Sequence, residues 1–380
     1  MATEVVVLGA GFGGLELSTR LSEAVGDRVH VTLIDKSDSF AFGFSKFDVM
    51  FGHRRLDEVR AYYRDIVKRG VEFKQETVTS IDPHTRRVVT DAAAYDADIL
   101  AIALGADYDT AATPGLDEGG LEFYSFAGAA KVRDVLPTFK SGVAVIAVLG
   151  PFFKCPPAPN EAALMLHDYL VGRGVRDAVD IHLITPMPMP IPISEETSTS
   201  IVSLLSDANV HYRPKTWVSH LDPAAKVVHL REGDPIDYDL FLGIPVHVAP
   251  QVVVESGLTE DDGWIAVDTA TFATKFPDVY AVGDVTNAPV PRAGVMAEGE
   301  ATTLADTLIS QLTGGPAPAA FEGAAVCYIE TGGGEVARVD VNFLAGSAPT
   351  AIFQPPSTAA AQEKREFATT RRARWFGYTD

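Results

Sequence analysis

Gly9, Gly11 and Gly14 follow the apolar run Val5–Leu8 as Gly-x-Gly-x-x-Gly. In that order the first glycine allows a tight turn, the second lets backbone approach a pyrophosphate, and the third lets a helix pack on its strand. Asp35 lies 21 residues beyond Gly14, at the end of a second apolar run, where it can accept a ribose hydroxyl and disfavours a 2′-phosphate. The two cysteines carry different chemistry. Cys155 stands in Lys-Cys-Pro-Pro-Ala-Pro-Asn-Glu161, and Cys327 stands 172 residues later in Cys-Tyr-Ile-Glu330. Two thiols can exchange with a disulfide. Two small buried hydrophobes would read the same way. Glu161 suits either a base beside a thiol or a carboxylate in the first turn of its helix.

These residues need elements to hold them. Val5–Leu8, a helical stretch to about Ala24 and Val29–Ile34 make one βαβ unit, and a short strand Ile99–Leu104 closes on Gly105. Val143–Leu149, a helix from about Asn160 to Val171 and Ile181–Thr185 make a second unit. Val279–Val282 runs into Gly283-Asp284 and a helix from about Gly294. An aspartate after a small-residue strand end can hold the ribityl chain of a flavin, and Gly283 permits close backbone approach. The expected fold class is therefore α/β. It comprises two Rossmann-like dinucleotide-binding domains, the first split by the second, and a C-terminal α+β region. The expected boundaries are 1–112 with 240–318, then 113–239, then 319–380.

In the second unit Pro156 and Pro157 lack the N–H groups that would bind phosphate, and Phe152 and Phe153 obstruct the approach. Thr185 stands where a ribose-binding acid would be. NADH and NADPH are therefore expected to be poor reductants.

Gly9-x-Gly11-x-x-Gly14, Gly105 and Gly283-Asp284 together resemble the two-dinucleotide-domain flavoproteins. Lys-Cys155-Pro-Pro-Ala-Pro with Glu161, Cys327-Tyr-Ile-Glu330, Pro291–Glu298 and Arg374-Trp-Phe-Gly377 resemble the sulfide:quinone oxidoreductases and flavocytochrome c sulfide dehydrogenases. The resemblance implies an FAD-dependent enzyme that oxidises sulfide or a related sulfur species at Cys155 and Cys327. Glu161 would act as the accompanying catalytic carboxyl, and electrons would leave to a quinone or cytochrome. It implies cofactor binding by Gly9, Gly11, Gly14, Asp35, Val78, Gly105, Pro245, Gly283, Asp284 and Gly294. Departures from the family pattern matter. The third cysteine of typical quinone-reducing members is absent, and no cysteine lies between Ser37 and Gly52, so the FAD is expected to be non-covalent. An NAD(P)H-dependent reductase and a flavin-binding protein without turnover stand as alternatives.

Length allows two or three domains, and a net charge of −20 excludes nucleic acid as a partner. Residues 355–380 reverse that sign to +2, and with Trp375 and Phe376 they are the expected peripheral membrane contact. Apolar runs fall short of the ~18–20 residues of a membrane span. The first strand begins at Glu4 without room for a leader, so a cytoplasmic protein, peripheral on the inner membrane face, is expected. The nine histidines show no metal-ligand spacing. A homodimer is compatible with the sequence.

Overall fold

A strand buried on both faces reads as a continuous apolar run, which is the signature of a parallel sheet covered by helices. Thr3–Leu8 is such a strand, with Val5, Val7 and Leu8 fully enclosed. The computed structural model, which describes residues 2–378, pairs it in parallel with Val29–Asp35 on one side and Ile99–Ile102 on the other. Val71–Gln75 and Val279–Ala281 complete this five-stranded sheet. The last strand comes from far along the chain, as expected for a domain split by an insertion. Helix Phe12–Val25 packs against helix Gly294–Thr313, so the two halves also share a helical layer.

The second sheet has the parallel order Leu121–Glu122, Leu240–Ile244, Gly142–Val148, Val179–Ile184, Val210–Arg213. Leu240–Ile244 lies beyond the expected boundary at 239. It is an apolar strand of the inserted unit, paired with Gly142–Val148, so the return to the first domain comes after it.

The third layer is an antiparallel sheet of Ala324–Gly332, Glu335–Asn342 and Thr350–Ser357. The expected basic tail proves to be integral: residues 350–357 are a strand of this sheet, and Thr358–Phe376 is a helix. Ser357 caps that helix by accepting from the Ala360 N–H. Trp375 is 0% exposed and donates its indole N–H to Glu16 Oε2 at 2.9 Å. Its ring meets Phe12 and Phe40 edge-on at 5.6 and 5.5 Å, and Phe376 stacks on Tyr63 at 6.3 Å. Arg374 pairs with Glu16 at 3.1 Å and Arg371 with Glu298 at 2.8 Å. Trp375 and Phe376 are therefore spent on the core and are unavailable to a lipid surface, contrary to the sequence expectation. Asp380, counted in that tail, lies outside the described residues. Among the described residues no helix is long and apolar enough to cross a membrane.

Candidate functional site

The glycine loop has the geometry its spacing demands. Gly9 has φ +96°, and a Cβ there would fall 2.3 Å from the Ala103 carbonyl oxygen. A Cβ on Gly14 would fall within the Gly9 carbonyl oxygen's own contact radius, so helix and strand meet only because it is absent. Around Gly11 there is open space, where a phosphate group can come against backbone. Asp35 latches this loop: its Oδ2 accepts the Ala10 N–H and its Oδ1 the Ser37 N–H, both at 2.8 Å. Each oxygen retains a lone pair for a ribose hydroxyl.

The second half of the cradle comes from the split part of the domain. Gly105 and Gly283 adopt φ +69° and +80°, and open space surrounds the missing Cβ of Gly105. Asp284 Oδ1 is enclosed yet has no hydrogen-bond partner among the described residues. A buried unpaired carboxylate oxygen is costly unless a ligand satisfies it. Gly294 opens its helix, and its bareness accommodates the Phe12 ring, which a Cβ would meet at 2.4 Å. Val78 begins the strand Val78–Asp82 and packs on the core beneath the first sheet. Pro245 is buried and its carbonyl faces His247 Nδ1 at 2.8 Å.

That last contact fixes a histidine. With Nδ1–H donated to Pro245, His247 Nε2 is the acceptor for the Lys154 N–H at 3.3 Å. Burial, then the Lys154 charge, pushes His247 down to about 3, so its ring is neutral. Lys154 Nζ reaches the Ala106 carbonyl at 2.8 Å and lies 4.6 Å from the Tyr108 ring centroid. Lys154, Arg292 and Lys46 all act on Asp284, opposing the burial that raises its pKa. Three cations thus converge on the cradle of a strongly acidic protein.

Cys155 lies at one side of this cradle, part-buried, with its N–H on the Arg292 carbonyl at 2.8 Å. Its φ of +57° puts a non-glycine residue in the left-handed region. Cys327 is carried by the hairpin strand Ala324–Gly332 and is also part-buried; both thiols are free. They pack on one core and are near enough for charge on Cys327 to act on Cys155. Glu161, 1% exposed, acts through its carboxylate on both thiols. Burial is the first cause and Glu161 the second that pushes both thiols upward, Cys327 to about 12.

Glu161 does not cap its helix. Its Oε1 accepts the Glu330 N–H at 3.1 Å, tying helix Ala158–Gly172 to the cysteine hairpin, and lies 3.7 Å from Lys364 Nζ. Burial raises Glu161 to about 7, with Lys364 partly offsetting it. Burial works against the Lys364 ammonium too, but Glu161 and Glu330 beside it more than compensate and hold its pKa above the ordinary value. Lys364 also binds Glu330 Oε1 at 2.7 Å. Lys364, Glu330 and Asp48 line a cavity of about 660 Å³ together with Phe42, Phe44, Arg365 and Arg372.

Sequence reasoning missed Lys364, Lys154 and His247. Lys154 stands next to Cys155 and could have been marked by that adjacency. Lys364 sits in a helix of polar composition and carries no local signal, because its burial is made by segments far away in the chain.

Phe152 is 60% exposed over the loop, Phe153 is buried, and Pro157 stands at the helix N-cap. Among the described residues no cluster could hold a metal ion.

The model of the family described as pyridine nucleotide-disulphide oxidoreductase matches residues 3–303. The chain belongs to that family. Over 363 residues it is 24% identical to the mitochondrial sulfide:quinone oxidoreductase of Mus musculus, spanning 92% of this chain and 80% of the relative. A type II NADH:quinone oxidoreductase of Staphylococcus saprophyticus is 30% identical over 131 residues, a third of each chain. The solved structure of the sulfide:quinone oxidoreductase from Aquifex aeolicus superposes with a TM-score of 0.87 at 21% identity, covering 100% of this chain and 93% of that one. The sequence resemblance and the α/β fold class are thereby borne out. The protein is a flavin-dependent oxidoreductase and its cofactor is FAD. The open space at Gly11 and Gly105 and the orphaned Asp284 oxygen fit that cofactor.

Proposed function

We propose that this protein oxidises sulfide or a related small sulfur species at Cys155 and Cys327 and passes the electrons through FAD to a quinone. The observation that carries the reading is the convergence of the two thiols on the buried carboxyl of Glu161. It is supported by the likeness to sulfide:quinone oxidoreductases over nine-tenths of the chain.

In the working cycle the cysteines start as a disulfide. Glu161 accepts the proton of H₂S, and HS⁻ attacks one sulfur. A new S–S bond forms a persulfide, the Cys155–Cys327 bond breaks, and the other sulfur leaves as a thiolate. A second HS⁻ removes the outer persulfide sulfur as a hydrodisulfide and leaves both cysteines reduced, and FAD, when bound, would supply the two-electron acceptor as their disulfide re-forms. Lys154, Lys46 and Arg292 stabilise negative charge on the cradle side. The raised thiol pKa values mean that the leaving sulfur takes back the proton Glu161 accepted, and the restored carboxylate is placed to remove one thiol proton as the disulfide re-forms. The FAD is held without a covalent bond, since neither cysteine belongs to the glycine-loop half of the cradle. Acceptor access is assigned to the cavity lined by Lys364 and Glu330. We place the protein in the cytoplasm, peripheral on the inner membrane face through surfaces other than Trp375 and Phe376, and a homodimer fits the reading.

Glu161 accepts a proton only as carboxylate, and its folded value is about 7. The rate of flavin reduction by sulfide should therefore rise with pH through about 7 and level off above it. Glu161→Gln should flatten that rise and lower the plateau by roughly 10²-fold, within the range of a lost general base. The ratio of the two rates at each pH cancels the ionisation of sulfide itself. A constant ratio across the range would remove Glu161 from proton transfer.

The alternative of an NAD(P)H-dependent reductase draws on the type II NADH:quinone oxidoreductase likeness. Phe152 and the prolines at 156 and 157 oppose it. NADH and NADPH should reduce the flavin at least a hundredfold below the roughly 10 s⁻¹ typical of enzymes. Stopped-flow bleaching at enzyme-like rates would transfer the assignment to that reading.

A further inference from the structure

The carboxyl of Glu300 has no role in the reading above. It projects from the second turn of helix Gly294–Thr313, is 2% exposed, and forms no ion pair among the described residues. Its Oε2 accepts the Gly283 N–H at 2.5 Å. Gly283 is the left-handed residue of the turn that carries Asp284, the residue that would hold the ribityl chain of FAD.

The rest of that turn is pinned from other sides. Thr286 donates both its N–H and its hydroxyl to the Gly283 carbonyl at 3.0 Å. Arg292 donates to the Asp284 carbonyl at 3.0 Å and the Thr286 carbonyl at 3.2 Å. On the far side helix Phe12–Val25 contributes Gly13, where a Cβ would stand 3.0 Å from Val282. The turn has little room to shift, and among the described residues Glu300 is the side chain that takes the Gly283 N–H.

Charge makes this position unusual. The groups acting on Glu300 are the Gly283 N–H, Asp284 and Arg292. Arg292 is already engaged with backbone carbonyls and lies 3.7 Å from the Trp264 ring centroid. Lys154 and Lys46 act on Asp284 from the loop after Gly142–Val148 and from helix Ser45–Met50. An ionised Glu300 would thus add a second buried anion beside Asp284, in a protein whose FAD, when bound, would itself bring two further negative charges. A neutral carboxylic acid removes that repulsion and still accepts the Gly283 N–H through its carbonyl oxygen.

We propose that Glu300 is a cofactor-positioning residue that works as a neutral acid, bracing the Gly283-Asp284 turn and making FAD binding proton-linked. Burial first, and Asp284 after it, raise Glu300 to about 8, which sets where the linkage appears. Below that pH the acid is protonated in the free and the FAD-bound protein alike. Above it, binding FAD takes up one proton and affinity falls as pH rises. The inference rests on FAD alone and stands whether or not sulfide is the substrate.

The test is FAD binding to the apoprotein, read by quenching of flavin fluorescence from about pH 6 to about pH 9.5. The Kd of the parent protein should be level at low pH and climb toward tenfold per unit above about 8. Glu300→Gln keeps the carbonyl acceptor without a titrating proton, so its Kd should stay level and within a few fold of the parent's low-pH value. A parent Kd that does not change with pH would overturn the proposal, as would a Gln variant that titrates in parallel with the parent. If the variant fails to fold, calorimetry of FAD binding to the parent near pH 8.5, in buffers of different ionisation enthalpy, gives the proton count. Uptake approaching one proton supports the proposal and zero uptake refutes it.

Discussion

Cys155→Ser and Cys327→Ser should each lower sulfide-dependent flavin reduction by on the order of a thousandfold or more, and the double variant should be hardly slower than either. Non-additivity is a consequence of the chemistry. The attacked disulfide exists only when both sulfurs are present, so the first substitution already removes the whole route. Structure supports a shared site: both thiols pack on one core, and one buried glutamate acts on both. Stopped-flow absorbance of the FAD-loaded variants under anaerobic sulfide measures the effect. The flavin spectrum before mixing serves as the folding control. Either serine variant reducing its flavin at the parent rate would end the sulfide reading and leave an FAD oxidoreductase acting on another donor.

Trp375→Ala should destabilise the protein by about 3–5 kcal/mol, the usual cost of emptying a fully buried aromatic site. The loss goes beyond volume, because Glu16 would remain buried with one of its partners gone. Since Trp375 touches Phe12 at the start of the glycine-loop helix, FAD retention should weaken with it. Arg365→Ala, on the same helix but exposed, should leave stability within about 0.5 kcal/mol. Denaturant unfolding of the FAD-loaded proteins decides the matter. Equal midpoints for Trp375→Ala and Arg365→Ala would show that the C-terminal helix is an appendage after all.

Much of this was legible in the sequence because the signals are local. Gly9-x-Gly11-x-x-Gly14 between two apolar runs demands a strand, a turn and a helix, and nothing distant has to be known to read it. Cys155 and Cys327 were legible only through resemblance, since spacing cannot show that two residues 172 apart meet. The C-terminal helix was misread for a physical reason. Its sequence is polar and basic, and the residues that neutralise or bury its side chains, such as Glu16, Glu298 and Glu161, come from other parts of the chain. Glu300 carried no signal for the same reason: one glutamate in a helix reads as a surface residue until the turn it supports has been folded against it.

The placement of Val279–Ala281 beside Ile99–Ile102 has a consequence for the order in which the nascent protein can mature. The inserted unit, closed by Leu240–Ile244, holds all its strands within one stretch of chain and can fold while the ribosome is still translating the C-terminal third. The FAD cradle cannot. Its first sheet waits for Val279–Ala281, its helical layer for Gly294–Thr313, and its aromatic floor for Trp375. Until that last helix emerges, Phe12, Phe40 and Phe42 have no cover, so the half-made domain is the stage at which this chain most needs a chaperone.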